Sequence, residues 1–356
     1  MVIFINYMKK ILLASIALSL VFNLNGISAQ SSNQKKKKNN KEVTKKNEKK
    51  DGIQPFEKII KKTAISDEGL FTIHRVNDNQ YYEIPDSLFG REMLMVTRIS
   101  KTATGIGFGG GKQNTQVLRW ERKDKKVLLR VVSHQIVAAD SLPIHEAVVN
   151  SNFEPVLYSF NIKAIGKDSN STVIQVNKFF EEDVKAIGFP AQRRKSYKIT
   201  GIDKTRCYIE SIKSYPLNIE SRHVKTYKSS EPPSNSSVGS ISIELNNSMV
   251  LLPSKPMRRR YFDQRVGWFA RSQTDYGLED QKSKSVKYLD RWKLEVKNED
   301  IEKFKNGELV IPKKQIVYYV DRATPKKWIP YIKQGIEDWQ IAFEEAGFKN
   351  AIIAKD

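Results

Sequence analysis

At 356 residues with 39% hydrophobic side chains, the chain has room for two or three domains with real cores. It carries a net charge of +21, which raises nucleic acid or an anionic surface as a partner. One cysteine, Cys207, excludes an internal disulfide framework and a cysteine-built zinc knuckle.

Residues 1–29 read as a secretory signal peptide. Lys9 and Lys10 form the charged region, Ile11 to Leu24 the apolar region, and Gly26-Ile-Ser-Ala29 the small-residue cleavage region. The apolar run is short for a membrane span, and no cysteine follows it to support lipoprotein processing. Residues 30–52 are a Lys-, Asn- and Ser-rich linker, predicted to be disordered because nothing in it can be buried. Nine lysines against Glu42, Glu48 and Asp51 give this linker +6, and the leader adds +2, leaving +13 for the rest. The charge therefore sits disproportionately in a leader and a tether. That argues against a nucleic-acid partner and leaves contact with a membrane or envelope surface as the alternative to a solvated linker.

A small domain is predicted over 53–100. Phe56 to Thr63 reads as a short helix, and Gly69 to Val76, Tyr81 to Ile84 and Met93 to Arg98 read as strands. A second, β-rich domain is predicted over 101–297. It opens on a glycine-rich stretch, Thr102 to Lys112. A phosphate loop would need Gly where Ile106 stands and Ser or Thr where Gln113 follows Lys112, so this stretch reads as a mobile hairpin loop. Val117–Arg122 with Val127–Val132 and Val156–Ala164 with Thr172–Val176 read as hairpins, followed by a short helix at Asn177–Asp183. Thr205–Ile212 and Ile219–Tyr227 read as a third pair. Ser240–Leu245, Met249–Leu252 and the stretch Tyr288–Val296 read as further strands. No fixed-period repeat is present.

The last predicted segment, 298–356, contains a β-α-β pattern. Ile316 to Val320 is an unbroken β-branched and aromatic run, and Ala351 to Ile353 begins a second strand. Between them Thr324 reads as an N-cap with Pro325 at the first helical position. Ile332, Ile336, Trp339, Phe343 and Ala346 form one apolar stripe, and Gly347 is the stop. Gly335, beside that stripe, predicts close backbone approach to a sheet. The two strands are predicted to run parallel.

Candidate chemistry is sparse. The four histidines are His74, His134, His145 and His223. A catalytic zinc helix needs two histidines at i and i+4 with a Glu beside the first. His145-Glu146 begins that word, but position 149 is Val. The other three histidines stand alone in strand-like contexts and read as surface or satisfied core residues. Cys207, in Thr205-Arg-Cys-Tyr-Ile-Glu, reads as a buried structural thiol rather than a zinc-capping switch. Arg258, Arg259, Arg260 and Arg265, near Tyr261, Trp268 and Phe269, read as a stacked inter-domain surface; a single-stranded nucleic-acid site is the alternative. No catalytic, cofactor-binding or metal-binding residue is assigned.

Several phrases resemble a known family. They are Gly69-Leu-Phe, Tyr82-Glu-Ile-Pro-Asp-Ser-Leu, Met93-Leu-Met-Val-Thr-Arg-Ile, Ser151-Asn-Phe-Glu-Pro-Val-Leu, Asp263-Gln-Arg-Val-Gly-Trp-Phe, Arg291-Trp-Lys-Leu-Glu, Tyr319-Val-Asp-Arg-Ala-Thr-Pro and Ala342-Phe-Glu-Glu-Ala-Gly-Phe. This wording resembles the secreted zinc-dependent metalloproteases of the Bacteroidetes type, zincins with two N-terminal accessory domains. The resemblance implies a mainly β (α+β) architecture: β-rich accessory domains, then the opening β-α-β unit of a zincin catalytic domain. It implies an exported N-terminal portion of a peptidase acting on peptide or protein substrates in the periplasm, at the outer membrane or outside the cell. The full-length activity it implies is peptide-bond hydrolysis by zinc-activated water with a Glu base, the His-Glu-x-x-His helix lying beyond Asp356. On that expectation this chain alone binds no zinc and is inactive. The alternative is a secreted β-rich binding or structural module for a cell-surface polymer or a partner protein.

Overall fold

Apolar residues alternate with polar ones through most of 72–251, and in a computed structural model that alternation becomes strands. The structure describes residues 52–234 and 236–356. The predicted leader (1–29) and the linker as far as Asp51 lie outside the described residues. The strands in the first half are β1 (Ile65–Asp67), β2 (Thr72–Val76), β3 (Asn79–Pro85), β4 (Glu92–Lys101), β5 (Lys112–Lys123), β6 (Lys126–Val132), β7 (Ile136–Val137), β8 (Val156–Ile165) and β9 (Ser171–Gln175). They continue with β10 (Ile199–Ile202), β11 (Tyr208–Ser214), β12 (Asn218–Ser229), β13 (Ser240–Leu251), β14 (Ala270–Asp275) and β15 (Lys284–Leu289).

The chain is mainly β. Twelve strands form one antiparallel sheet in the order β1-β2-β3-β9-β8-β6-β5-β4-β13-β12-β10, with β11 also on β12, and this sheet curls into a nearly closed barrel. The strands of 53–100 and 101–297 pair with one another: β3 lies on β9 from Tyr81–Gln175 to Pro85–Ser171, and β4 lies between β5 and β13. At the seam β11 meets the start of β2. Leu70 N donates to Tyr215 O at 2.8 Å, and Ser214 Oγ donates to Phe71 O at 2.7 Å. This approach requires Gly69, because a Cβ there would stand 2.8 Å from the Tyr215 nitrogen.

The inward phase of each strand fills the barrel. Phe71, Tyr82, Met93, Met95, Leu118, Trp120, Leu129 and Phe160 belong to one buried cluster, with Trp120 edge-on to Phe71 at 5.9 Å between ring centroids. Fully burying an aliphatic or Phe side chain contributes about 1.5–3 kcal/mol. The outer face of β2, β3, β8 and β9 is also apolar at Val76, Tyr81, Ala164 and Val173, where helix α1 (Phe56–Ile59) lays Phe56 and Ile59 over it.

Some sequence expectations need correction. The predicted strands Ser240–Leu245 and Met249–Leu252 are one strand, β13. The polar residues Asn246, Asn247 and Ser248 are satisfied across the sheet: Asn246 and Ser248 donate to Glu220, and Asn247 Oδ1 accepts from Thr97 Oγ1 at 2.6 Å. The predicted strand Tyr288–Val296 ends at Leu289, where β15 runs out of its partner β14.

The C-terminal unit holds β16 (Ile316–Tyr319) and β17 (Ile352–Lys355), parallel as predicted. Its helix is not continuous. Pro325 is extended (ψ 132°), so Thr324 is not a helical N-cap; a 3-10 turn, Lys326–Trp328, leads into α6 (Ile329–Glu337). A second short helix, α7 (Gln340–Glu344), follows. The intervening helices are α2 (Ile144–Ser151), α3 (Asn177–Glu181), α4 (Ala191–Ser196) and α5 (Ile301–Lys305). The predicted stripe is not buried as one: Phe343 packs on Val310, Phe348 and Ala351, whereas Ile332, Trp339 and Ala346 are exposed. Gly335 faces open space, so no close backbone approach explains it. Among the described residues no helix is long and apolar enough to cross a membrane.

Candidate interaction surface

The four histidines lie apart in separate hydrogen-bond settings. His74 on β2 bonds Ser66 Oγ at 2.8 Å through Nδ1 and Glu83 Oε2 at 2.7 Å through Nε2. His134 pairs with Glu92, and His145 Nδ1 donates to Ala138 O. His145-Glu146 does lie on a helix, α2, but Val149 on that helix is exposed and supplies no second ligand. Among the described residues no group of three or more His, Cys, Asp or Glu stands close enough to hold a metal ion.

A buried polar column runs along β12, whose inward phase reads Ile219, Ser221, His223, Lys225, Tyr227. Lys225 is fully buried, and Nζ donates to Phe180 O at 2.8 Å and Glu182 O at 2.6 Å. Burial pushes its pKa down to about 8. Burial, helped by the neighbouring Lys225 charge, holds the His223 imidazole well below its usual value, so it is neutral. The Tyr227 hydroxyl accepts from Phe189 N at 3.1 Å, and burial raises its pKa to about 12. Cys207 is buried beside this column: Sγ donates to Asp203 O and accepts from Thr226 N. Burial raises its thiol pKa, which suits a structural rather than a reactive role. Lys225 escaped the sequence reading. Its signal was the two-residue period of β12, which puts position 225 on the same face as Ile219 and Tyr227.

The C-terminal unit exposes several large apolar side chains. Thr324, Pro325, Trp328, Tyr331 and Ile332 line a shallow, mostly apolar hollow at the start of α6. Trp328 is 50% exposed, Tyr331 67%, Trp339 65% and Ile341 72%. Trp328 and Tyr331 stand side by side with ring centroids 6.3 Å apart, and Lys327 lies over the Trp328 ring. Tyr319, at the end of β16, is exposed as well. Aromatic side chains of this size are what protein interfaces use as anchors, because each buries much area at little entropic cost.

The Arg and aromatic residues of 258–269 surround a small sheet of order β15-β14-β7. Tyr261 bridges to Tyr288 on β15, and Arg259 stands over the Tyr288 ring at 4.9 Å. Arg265 pairs with Asp263, and the Trp268 Nε1 donates to Asp290 O. Phe269 is largely exposed, and Arg258 and Arg260 are exposed.

Two family models match the chain. The one described as Domain of unknown function (DUF5118) matches residues 53–102, and the one described as Domain of unknown function (DUF5117) matches residues 110–297. No curated protein and no solved structure matches the chain.

Proposed function

The chain belongs to the family described as Domain of unknown function (DUF5117), and from the resemblance of its wording to secreted zincins we propose that it is the exported, non-catalytic N-terminal portion of a zinc-dependent metallopeptidase. In this reading the barrel is a scaffold, and the C-terminal β-α-β unit is the surface on which the zinc-bearing part of the catalytic domain packs. The observation that carries the reading is the set of exposed aromatic side chains on that unit. Trp328, Tyr331 and Trp339 are exposed around a two-stranded parallel sheet. Parallel sheets are stable when both faces are covered, so a covering partner is the natural complement of Tyr319, Tyr331 and Trp339. The resemblance of Tyr319-Val-Asp-Arg-Ala-Thr-Pro and Ala342–Phe348 to the opening of a zincin domain supports the rest of such a domain as that partner.

Among the described residues no group of side chains is arranged to hold zinc. The one His-Glu pair on a helix has Val149 where a second histidine is needed, and the remaining histidines are held by Ser66 and Glu83, by Glu92, or inside the barrel wall. Metal chemistry therefore belongs to the partner domain in this reading. The test is to express the native gene and assay cleavage of denatured casein with and without 1,10-phenanthroline. Chelator-sensitive cleavage is expected, with loss of folded full-length protein in the Trp328→Ser/Trp339→Ser double variant. A purified native product without chelator-sensitive activity overturns the reading.

A further inference from the structure

The small sheet carries an arrangement that the peptidase reading does not use. Arg271 on β14 faces Tyr288 on β15, and Tyr288 faces Tyr261, so the three side chains stand in a row on one face. The two tyrosine rings are 5.5 Å apart and inclined at 33°. Arg259 closes the row from above, its guanidinium 4.9 Å from the Tyr288 centroid. Tyr261 is 71% exposed. Arg271 is exposed, and its Nε donates to Asp290 Oδ1 at 3.1 Å. The whole segment 255–293 holds eleven Lys and Arg against five Asp and Glu.

We propose that the Tyr261–Tyr288 shelf, flanked by Arg259 and Arg271, binds an acidic polysaccharide of the uronate type. This goes beyond the scaffold role and rests on the export that the peptidase reading includes. The exposed Tyr261 ring offers flat apolar area to a pyranose ring, and Tyr288 backs it from the sheet. The guanidiniums of Arg259, which donates to the Tyr288 hydroxyl at 3.4 Å, and of Arg271, which pairs with Asp290, keep further N–H groups for a carboxylate. The excess of six positive charges over the segment attracts a polyanion. The site would hold the exported protein on an acidic cell-surface polymer.

The test is binding of the purified full-length chain to polygalacturonate, its methyl-esterified form, dextran and a single-stranded DNA oligonucleotide, by calorimetry at 0.15 M salt. Three variants are compared: Tyr261→Ala/Tyr288→Ala, Arg259→Gln/Arg271→Gln, and one with Lys35, Lys36, Lys37 and Lys38 changed to Gln. Polygalacturonate is expected to bind, and the tyrosine variant to bind it at least about tenfold more weakly. The arginine variant should lose the preference for the free acid over the ester, and the linker variant should bind like the wild type. Tyr261→Phe/Tyr288→Phe keeps the rings and should retain binding, which separates loss of the shelf from loss of folding. Equal binding by the wild type and the tyrosine variant overturns the proposal, as does loss confined to the linker variant. Tighter, tyrosine-dependent binding of the oligonucleotide than of polygalacturonate would replace it with a nucleic-acid site. Peptidase activity plays no part in this readout, so the two readings fail independently.

Discussion

The ammonium nitrogen of Lys225 donates to the carbonyl oxygen of Phe180 at 2.8 Å. A strand residue, entirely buried, thereby caps the last turn of α3, where the carbonyls lack helical partners. The same nitrogen reaches Glu182 O, so the segment that follows the helix is held against β12 by one cation.

This makes Lys225 a source of alkaline stabilisation. Its folded pKa, near 8, lies below the usual 10.5. Between those values the unfolded chain holds a proton that the folded chain has lost, so stability rises with pH through that window. The buried Cys207 thiol, raised by burial, works the other way over part of it. Comparison with Lys225→Met isolates the lysine. Urea titrations at pH 7.5 and 10 should show the wild-type advantage over Lys225→Met growing by about 2 kcal/mol. An advantage independent of pH would show that the ammonium is not desolvated.

His223 gives the opposite end of the profile. Its imidazole stays neutral in the fold, whereas in the unfolded chain it takes a proton near 6.5. Stability is therefore present above that value and is lost as pH falls below it. Glu83 and Asp183, whose carboxyls are lowered chiefly by hydrogen bonds from His74 and Arg194, lose their contribution only in the lower, carboxylate range. Between pH 6.5 and 5 the wild type should lose about 1 kcal/mol of stability per pH unit, and His223→Gln should lose measurably less. Thermal melts across that interval decide it.

Trp120 is buried among Phe71, Tyr82 and Phe160, yet its indole N–H has no hydrogen-bond partner among the described residues. Trp120→Ala should cost about 3–5 kcal/mol in urea denaturation. Trp120→Phe should cost less than half as much, since it keeps a ring and removes an unpaired donor. Equal costs would show that ring packing at this position contributes nothing beyond the indole itself.

Two glycines of the C-terminal unit should respond with opposite signs. Gly347 has φ +88°, and a Cβ there would stand 2.4 Å from Phe304 Cε2. Gly347→Ala should destabilise the unit by about 1 kcal/mol or more. Gly335 lies in α6 with open space around it, and Gly335→Ala should stabilise by about 0.4–1 kcal/mol. Hydrogen exchange at the amides of Ile316 and Val320, which bond to Ala351 and Lys355, reads both effects.

Much of the fold was legible because strands announce themselves locally. The alternation in Val117–Arg122 and Val127–Val132 and the turn residues between them are enough to pair β5 with β6. Gly347 likewise marks the helix stop, because its positive φ is a local demand. The segment of β13 reads as two strands for the complementary reason. Asn246, Asn247 and Ser248 look like a break until Glu220 and Thr97 stand opposite to satisfy them.

The sequence by itself determined the β-rich character, the local hairpins and the parallel pair at the C-terminal end, since periodicity and turn chemistry act over a few residues. Only the tertiary structure decided that β3 lies on β9 and β4 on β13, that β11 closes onto β2 beside Gly69, and that Lys225 ends up inside. It also decided that Tyr261, Tyr288 and Arg271 share one face. Each of these depends on partners many residues distant, and a one-dimensional pattern carries a strand's phase but not the identity of its neighbour.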